Sequence, residues 1–229
     1  MIYATTPGDL HGFLYHPAGL GPFPAVVFEH GSEQEPGNMI DEAQFFVPHG
    51  FVVFAPHRRG QGRSAEAAEY LNEAWIFGGK SPELLVDLLD THVDDVAAAV
   101  AYVRRLPFVD ANRVALAGCS FGGIEALLAA ERNLGLRAAV DFEGAAIMWS
   151  RTPPLQERMK RAARAATVPV LFVQAENDFD TTPSRVLGRE MELSGRTPRV
   201  RIFPPNGTTA KDGHMFCMGG TNPRWGDEV

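Results

Sequence analysis

The sequence predicts an α/β fold, a mainly parallel sheet with helices on both faces, and three observations carry that expectation. Short continuous apolar runs at residues 25–28, 51–55 and 169–174 alternate with helix-prone stretches. That is the rhythm of strands buried on both sides of a sheet. From Pro82 onward, Leu85, Leu88, Leu89, Val93, Val96, Val100 and Val103 recur at spacings of three and four. They make one amphipathic helix, or two joined ones, ending before Pro107. Finally, residues 114–123 read V-A-L-A-G-C-S-F-G-G, an apolar strand that bends into the helix-forming stretch 124–131.

Taken in order, residues 10–16 read as an edge strand closed by the glycine- and proline-rich turn 17–22. The buried strand 25–28 runs into Glu29-His30-Gly31-Ser32-Glu33, and residues 40–49 have helical spacing. Strand 51–55 leads to a polar loop, 56–64, that holds Arg58, Arg59 and Arg63. Its arginines and glycines look phosphate-binding, but the lysine and helix start of a P-loop are missing, so bracing is the expected role. Residues 65–77 are helix-prone and carry Tyr70, Leu71, Trp75 and Phe77. Ser81 before Pro82 supplies a capping side chain and a proline at the first helical position. Residues 110–113 read as a turn, and 137–142 and 200–203 as further strands. With no repeat or linker, residues 1–229 are expected to form a single domain without a large cap.

Composition narrows the partners. A net charge of −7 offers no basic stripe to neutralise phosphates, which disfavours nucleic acid and anionic membrane. No apolar run has the length of a membrane span. No basic-then-apolar leader stands at the N-terminus, so a cytoplasmic protein is expected. Cys119 and Cys217 are too few for a disulfide framework, and Cys119 reads as a small buried residue. No His, Cys and carboxylate cluster has metal-ligand spacing, so neither metal nor cofactor is expected.

The bend at 114–123 carries the chemistry. A strand that turns sharply into a helix forces the residue at the tip into a strained conformation, and Gly118 and Gly122 leave room for it. The tip residue is Ser120, whose hydroxyl needs a base, and the base an orienting acid. Such groups belong on loops beyond the carboxyl ends of parallel strands. Asp178 lies four residues past strand 169–174, with Asp180 as its rival and Asp141 and Glu143 behind. His214 lies in a loop after the last strand; His30, His49, His57 and His92 compete, His92 as a structural helix residue. Glu125, one turn into the nucleophile helix, reads as solvated or hydrogen-bonded.

The H-G-S turn at His30, R-R-G-Q-G-R-S at Arg58, the serine elbow, A-E-N-D before Pro183 and D-G-H at His214 together resemble the α/β-hydrolase superfamily, closest to dienelactone-hydrolase-related serine esterases. The resemblance covers nearly the whole chain. It implies ester hydrolysis through an acyl-enzyme, with Ser120 attacking, His214 moving the proton and Asp178 orienting the imidazole. The A-E-N-D pattern favours Asp178 over Asp180. Backbone N–H groups of Phe121 and Ser32 are the expected oxyanion donors. Trp75, Met148, Trp149 and Phe216, with Phe77 and Met218, stand on loops at the catalytic edge and are the expected substrate pocket.

Two departures qualify the resemblance. Dienelactone hydrolase itself has cysteine at the nucleophile position, where this chain has Ser120; Cys119 stands one place too early. Relatives also continue into a final helix where this chain reaches Val229, which leaves a homodimer partner as a candidate cover. The expected function is a serine carboxylesterase acting on small or medium neutral esters. The alternatives are an amide or lactone hydrolase or an acyltransferase on the same triad. A binding protein of the same fold is disfavoured because all three catalytic residue types are present.

Overall fold

The structure, a computed structural model, describes residues 1–4, 8–71, 82–218 and 222–229. Its eight strands are β1 (Ile2–Ala4), β2 (Leu10–Tyr15), β3 (Phe23–Glu29), β4 (Val52–Pro56), β5 (Val109–Cys119), β6 (Ala139–Phe142), β7 (Val170–Ala175) and β8 (Pro198–Phe203). The sheet order is β1-β2-β4-β3-β5-β6-β7-β8. Only the β1–β2 and β2–β4 pairings are antiparallel; from β4 to β8 the sheet is parallel.

Period-two alternation explains why both faces are covered. Ala25 and Val27 of β3, Val52 and Phe54 of β4, and Val114 and Leu116 of β5 enter one core. Val26 and Phe28, Val53 and Ala55, and Ala117 and Cys119 enter the other. The first core is closed by α2 (Pro82–Val103), α3 (Phe121–Ala130), α4 (Pro153–Ala165) and α5 (Thr182–Leu193). The second is closed by α1 (Ile40–Phe46) and by Trp225 of the four-residue α7 (Asn222–Trp225). The Trp225 ring lies 4.9 Å from that of Phe142 and 5.2 Å from that of Phe45. Beside it, Val26, Phe51, Ala115, Ala117 and Val140 line an apolar cavity of about 190 Å³.

Several sequence expectations shift. The strand at 10–16 is not the edge, because β1 pairs outside it; three residues are too short to show a pattern. Residues 110–113 belong to β5 rather than to a separate turn. They bulge out of the ladder, since Phe23 and Ala25 of β3 face Val109 and Val114. The Asp110 carboxylate accepts from the Asn112 N–H across the bulge, at 2.9 Å. Residues 65–71 are not an α-helix: a 3-10 helix spans Gly62–Ala67 and irregular backbone follows. The rest of that stretch, with Trp75, Phe77 and Ser81, lies outside the described residues. The long amphipathic pattern forms one unbroken helix, α2. Among the described residues no helix is long and apolar enough to cross a membrane.

Candidate active site

Ser120 stands at the β5–α3 junction with φ 56° and ψ −109°, in the left-handed half of conformational space. Holding a non-glycine residue there costs about 1–3 kcal/mol, which the surroundings must over-determine. They do so from three sides. The Ser120 N–H donates to the Phe142 carbonyl at 2.8 Å, and its carbonyl accepts from Ile124 at 3.1 Å to start α3. Behind it, Gly122 is pressed against the end of β3, where an added Cβ would lie 2.4 Å from the Glu29 carbonyl oxygen. The Ser120 hydroxyl makes no capping bond to α3; it is turned to His214.

His214 is not in a loop, as the sequence suggested, but ends the short helix α6 (Ala210–His214). Thr209 and Asp212 form a reciprocal capping box: Asp212 N–H donates to Thr209 Oγ1 at 3.1 Å and Thr209 N–H to Asp212 Oδ2 at 2.9 Å. The helix backs onto the loop after β7, so closely that a Cβ on Gly213 would lie 2.6 Å from the backbone of Asn177. Asn177 completes the link by donating to the carbonyls of Asn206 (2.9 Å) and Thr209 (2.8 Å).

These two segments bring the three residues into line. His214 Nε2 is 2.9 Å from Ser120 Oγ, and His214 Nδ1 is 2.9 Å from Asp178 Oδ1. An ionised carboxylate offers no proton. Nδ1–H therefore donates to Asp178, and Nε2 accepts from the serine hydroxyl. Asp178 is oriented in turn: Phe179 N–H donates to Oδ1 at 2.7 Å and Gln174 Nε2 to Oδ2 at 2.7 Å. Ser184 donates to the Gln174 carbonyl oxygen at 2.7 Å and so fixes which way that amide faces. Gln174 is fully buried at the end of β7, and the sequence reading passed over it as strand. Phe179 sets its ring edge-on to the imidazole, at 5.6 Å.

The rival acids are engaged elsewhere. Asp180 accepts from the Thr182 N–H at 2.8 Å, at the start of α5. We therefore expect Asp178→Asn to lower kcat by about 10²–10⁴ through loss of the orienting acceptor, while Asp180→Asn leaves turnover near wild type. Steady-state kinetics of the two variants checks this, and the reverse ranking contradicts it. Asp141 accepts from the Gly144 N–H at 2.8 Å beneath the elbow. Burial raises its carboxyl from 3.8 to about 7, against the pull of that N–H. Because the folded value is raised, its stabilising contribution is complete below the unfolded value and is lost as pH rises through about 7. Asp141→Asn cannot titrate. Its melting temperature relative to wild type should therefore move upward between pH 4 and 8, and a constant difference contradicts the assignment.

Below the His30–Ser32 turn lies a buried charge cluster. Arg58, fully buried, reaches Glu125 at 2.7 Å and Glu29 at 3.4 Å and donates to the His30 carbonyl at 2.8 Å. It also donates to the Gly31 carbonyl. Burial raises the Glu29 and Glu125 carboxyls, each to about 8, with Arg58 pulling the other way. His92 Nδ1 and Glu125 Oε1 share a hydrogen bond of 3.0 Å. Burial, and then Arg58, push its imidazole down to about 3, so it is neutral. Glu125 is thus hydrogen-bonded and ion-paired rather than solvated. The 56–64 loop braces the turn after β3, and Arg59 adds a second anchor by pairing with Asp95 on α2.

A cleft of about 270 Å³ opens over Ser120 and His214, lined also by Ser32, Glu33, Tyr70, Ile147, Met215 and Met218. Of the expected oxyanion donors, Ser32 lines this cleft, and Phe121 follows Ser120 at the N-terminus of α3. The expected pocket needs correction. Met148 and Trp149 are buried in the first core, because the chain enters a 3-10 turn there and leaves Ile147 as the residue that faces the cleft. Phe216 is fully buried in the second core, 5.1 Å from the Phe203 ring, and its carbonyl accepts from Trp225 Nε1 at 3.0 Å. Trp75 lies outside the described residues.

The cysteines also depart from expectation. Cys119 is buried as expected, but it is bonded to Cys217, with Cα atoms 5.8 Å apart. The pairing removes the cysteine count as a reason to expect a reducing compartment.

Strand order, strained serine elbow and the carboxylate–imidazole–hydroxyl line define the class: this is an α/β-hydrolase fold. Residues 10–209 match the model of the dienelactone hydrolase family, and the chain belongs to that family. No curated protein sequence matches it. Among solved structures it is similar to a Klebsiella pneumoniae protein assigned as a dienelactone hydrolase, at TM-score 0.69 and 18% identity over 96% of each chain. It is also similar to esterase 2 of Thermogutta terrifontis, phosphoramylated by tabun, at TM-score 0.70 and 19% identity over 100% of this chain and 91% of that one. Dipeptidyl peptidase 4 of Porphyromonas gingivalis matches at TM-score 0.73 and 18% identity; this chain spans 34% of its length. At such identities these likenesses speak for the fold alone.

Proposed function

We propose that the protein is a serine carboxylesterase that hydrolyses small or medium neutral esters through an acyl-enzyme. The observation that carries this reading is the single imidazole held at 2.9 Å from both the Ser120 hydroxyl and the Asp178 carboxylate. Ser120 Oγ attacks the ester carbonyl while His214 Nε2 takes its proton, and the imidazolium that forms is stabilised by Asp178. Charge on the carbonyl oxygen is met by the N–H groups of Phe121 and Ser32; removing one such donor typically costs about 10²–10³ in rate. His214 then returns the proton to the leaving alcohol. Water, activated by the same imidazole, releases the acid.

Support for the substrate class comes from the cleft. Its described lining carries no arginine or lysine for an anionic substrate, and it includes Glu33. A volume of about 270 Å³ is at or below the low end of drug-sized pockets, which suits short acyl chains. The test is a panel of p-nitrophenyl esters from acetate to octanoate, run beside matching anilides. Turnover that falls with chain length and is absent on anilides is expected. Cleavage of anilides without ester turnover contradicts the reading.

A further inference from the structure

The Cys119–Cys217 bond joins the two halves of the site. Cys119 ends β5 and directly precedes Ser120, whereas Cys217 lies three residues past His214. The two are 98 residues apart in sequence, so the bond ties the strand that carries the hydroxyl to the segment that carries the imidazole. Cys217 is fully buried, and Cys119 is 5% exposed and borders the cleft over Ser120. Behind the sulfurs stands Glu143, fully buried, with Oε2 3.9 Å from Cys119 Sγ. Its Oε1 is without a hydrogen-bond partner, and one of its oxygens lies within 4.8 Å of both sulfurs. No step of ester hydrolysis uses this carboxyl.

We propose that the Cys119–Cys217 bond is a positioning cross-link that a dithiol reductant can open through the substrate cleft, loosening His214 from Ser120 and lowering turnover. The inference rests on the esterase reading above. In the opening step one thiolate of the dithiol attacks Cys119 Sγ, the sulfur that borders the cleft, and the Cys119–Cys217 bond breaks. Cys217 leaves as thiolate and takes a proton from Glu143, which regains one from solvent, where the attacking thiol had released its own. The second thiol of the reductant then displaces Cys119, which takes up the other proton. Two electrons and two protons pass to the cysteines, and the reductant ends as its own disulfide. Burial holds the Glu143 carboxyl well above the usual range, with Asp178 adding and the N–H groups of Phe216 and Cys217 opposing, so a proton is available there.

The test compares oxidised protein, protein reduced with dithiothreitol, and Cys217→Ser, with thiol titration to confirm the redox state. Esterase kcat and the rate of labelling by a fluorophosphonate are the readouts, taken well below the melting temperature of every sample. In the reduced protein, kcat and labelling rate should fall at least tenfold with KM within twofold, and diamide should restore them. Cys217→Ser should stay at the low level in either buffer. A cross-link that only stabilises the fold would lower the melting temperature and leave kcat unchanged, and that result overturns the proposal. So does protein whose thiols titrate as free without reductant. Failure to label in both states overturns the esterase reading and this inference with it; equal labelling of both states overturns the inference alone.

Discussion

Ser120→Ala should lower kcat by at least about 10³ while the fold stays intact. The size follows from what the hydroxyl does in the proposed reaction: it forms the acyl bond, and it stands 2.9 Å from His214 Nε2, which takes its proton. Residual hydrolysis would come from the oxyanion donors and from binding. Folding should survive because the Ser120 hydroxyl makes no capping bond to α3. Alanine, however, inherits φ 56°, so its melting temperature should stay near that of wild type rather than rise. Kinetics and thermal unfolding of the purified variant check both halves. Normal turnover in a folded variant contradicts the assignment of the nucleophile.

Arg58→Met should have the largest effect on stability. The guanidinium holds the carbonyls of His30 and Gly31 and is the cation between Glu29 and Glu125. Removing one partner from a buried ionic cluster costs about 3–5 kcal/mol, because the charge left behind has no compensation. For a chain of this length that corresponds to a fall of about 6 °C or more in melting temperature. The variant can escape part of the cost by keeping both carboxyls protonated. Their folded values, each already raised to about 8, would move further up, so stability is lost as pH rises from the unfolded value near 4.5. Wild type and variant lose stability in parallel up to about pH 8, where the wild-type carboxyls begin to ionise in the fold. The deficit should therefore grow as pH rises through about 8, and adding Glu125→Gln should recover part of it. Turnover should fall as well, since Arg58 holds the turn that presents Ser32 to the cleft. A variant as stable as wild type at pH 8 contradicts the role given to Arg58.

Much of this site was legible in the sequence. Ser120 and Asp178 could be picked out because each follows a strand that reads as a continuous apolar run, and His214 because it follows the last strand; a parallel sheet collects such strand ends at one edge. What escaped did so for physical reasons. The helix under His214 is only five residues long, too short for periodicity, although Thr209 and Asp212 at capping-box spacing were there to be read. Of the two expectations for Glu125, solvated or hydrogen-bonded, the second holds; its burial could have been read from Ile124, Ala126, Leu127, Leu128, Ala129 and Ala130, which are apolar all round the helix, the mark of a helix buried on every side. Its partner, Arg58, comes from a loop 67 positions earlier in the numbering, and no local pattern announces that pairing. The cysteines met through the same long-range assembly.

The pocket was the weakest expectation because it required knowing which way each residue faces, not which loop it is on. Ile147 and Met148 are adjacent, yet one lines the cleft and the other fills the core. Phe216 lies two residues past His214 and turns into the opposite core. Period is readable from sequence only inside regular elements, and the 3-10 turn at Trp149–Arg151 breaks it where the pocket wall begins.

The most direct measurement is treatment of oxidised wild type and Ser120→Ala with a fluorophosphonate, read by intact and peptide mass. A single adduct on wild type, mapped to Ser120 and absent from the variant, is the result expected of a serine activated by His214. A folded wild-type protein that takes up no adduct, or takes it up equally in Ser120→Ala, would contradict the assignment of Ser120 as the activated nucleophile.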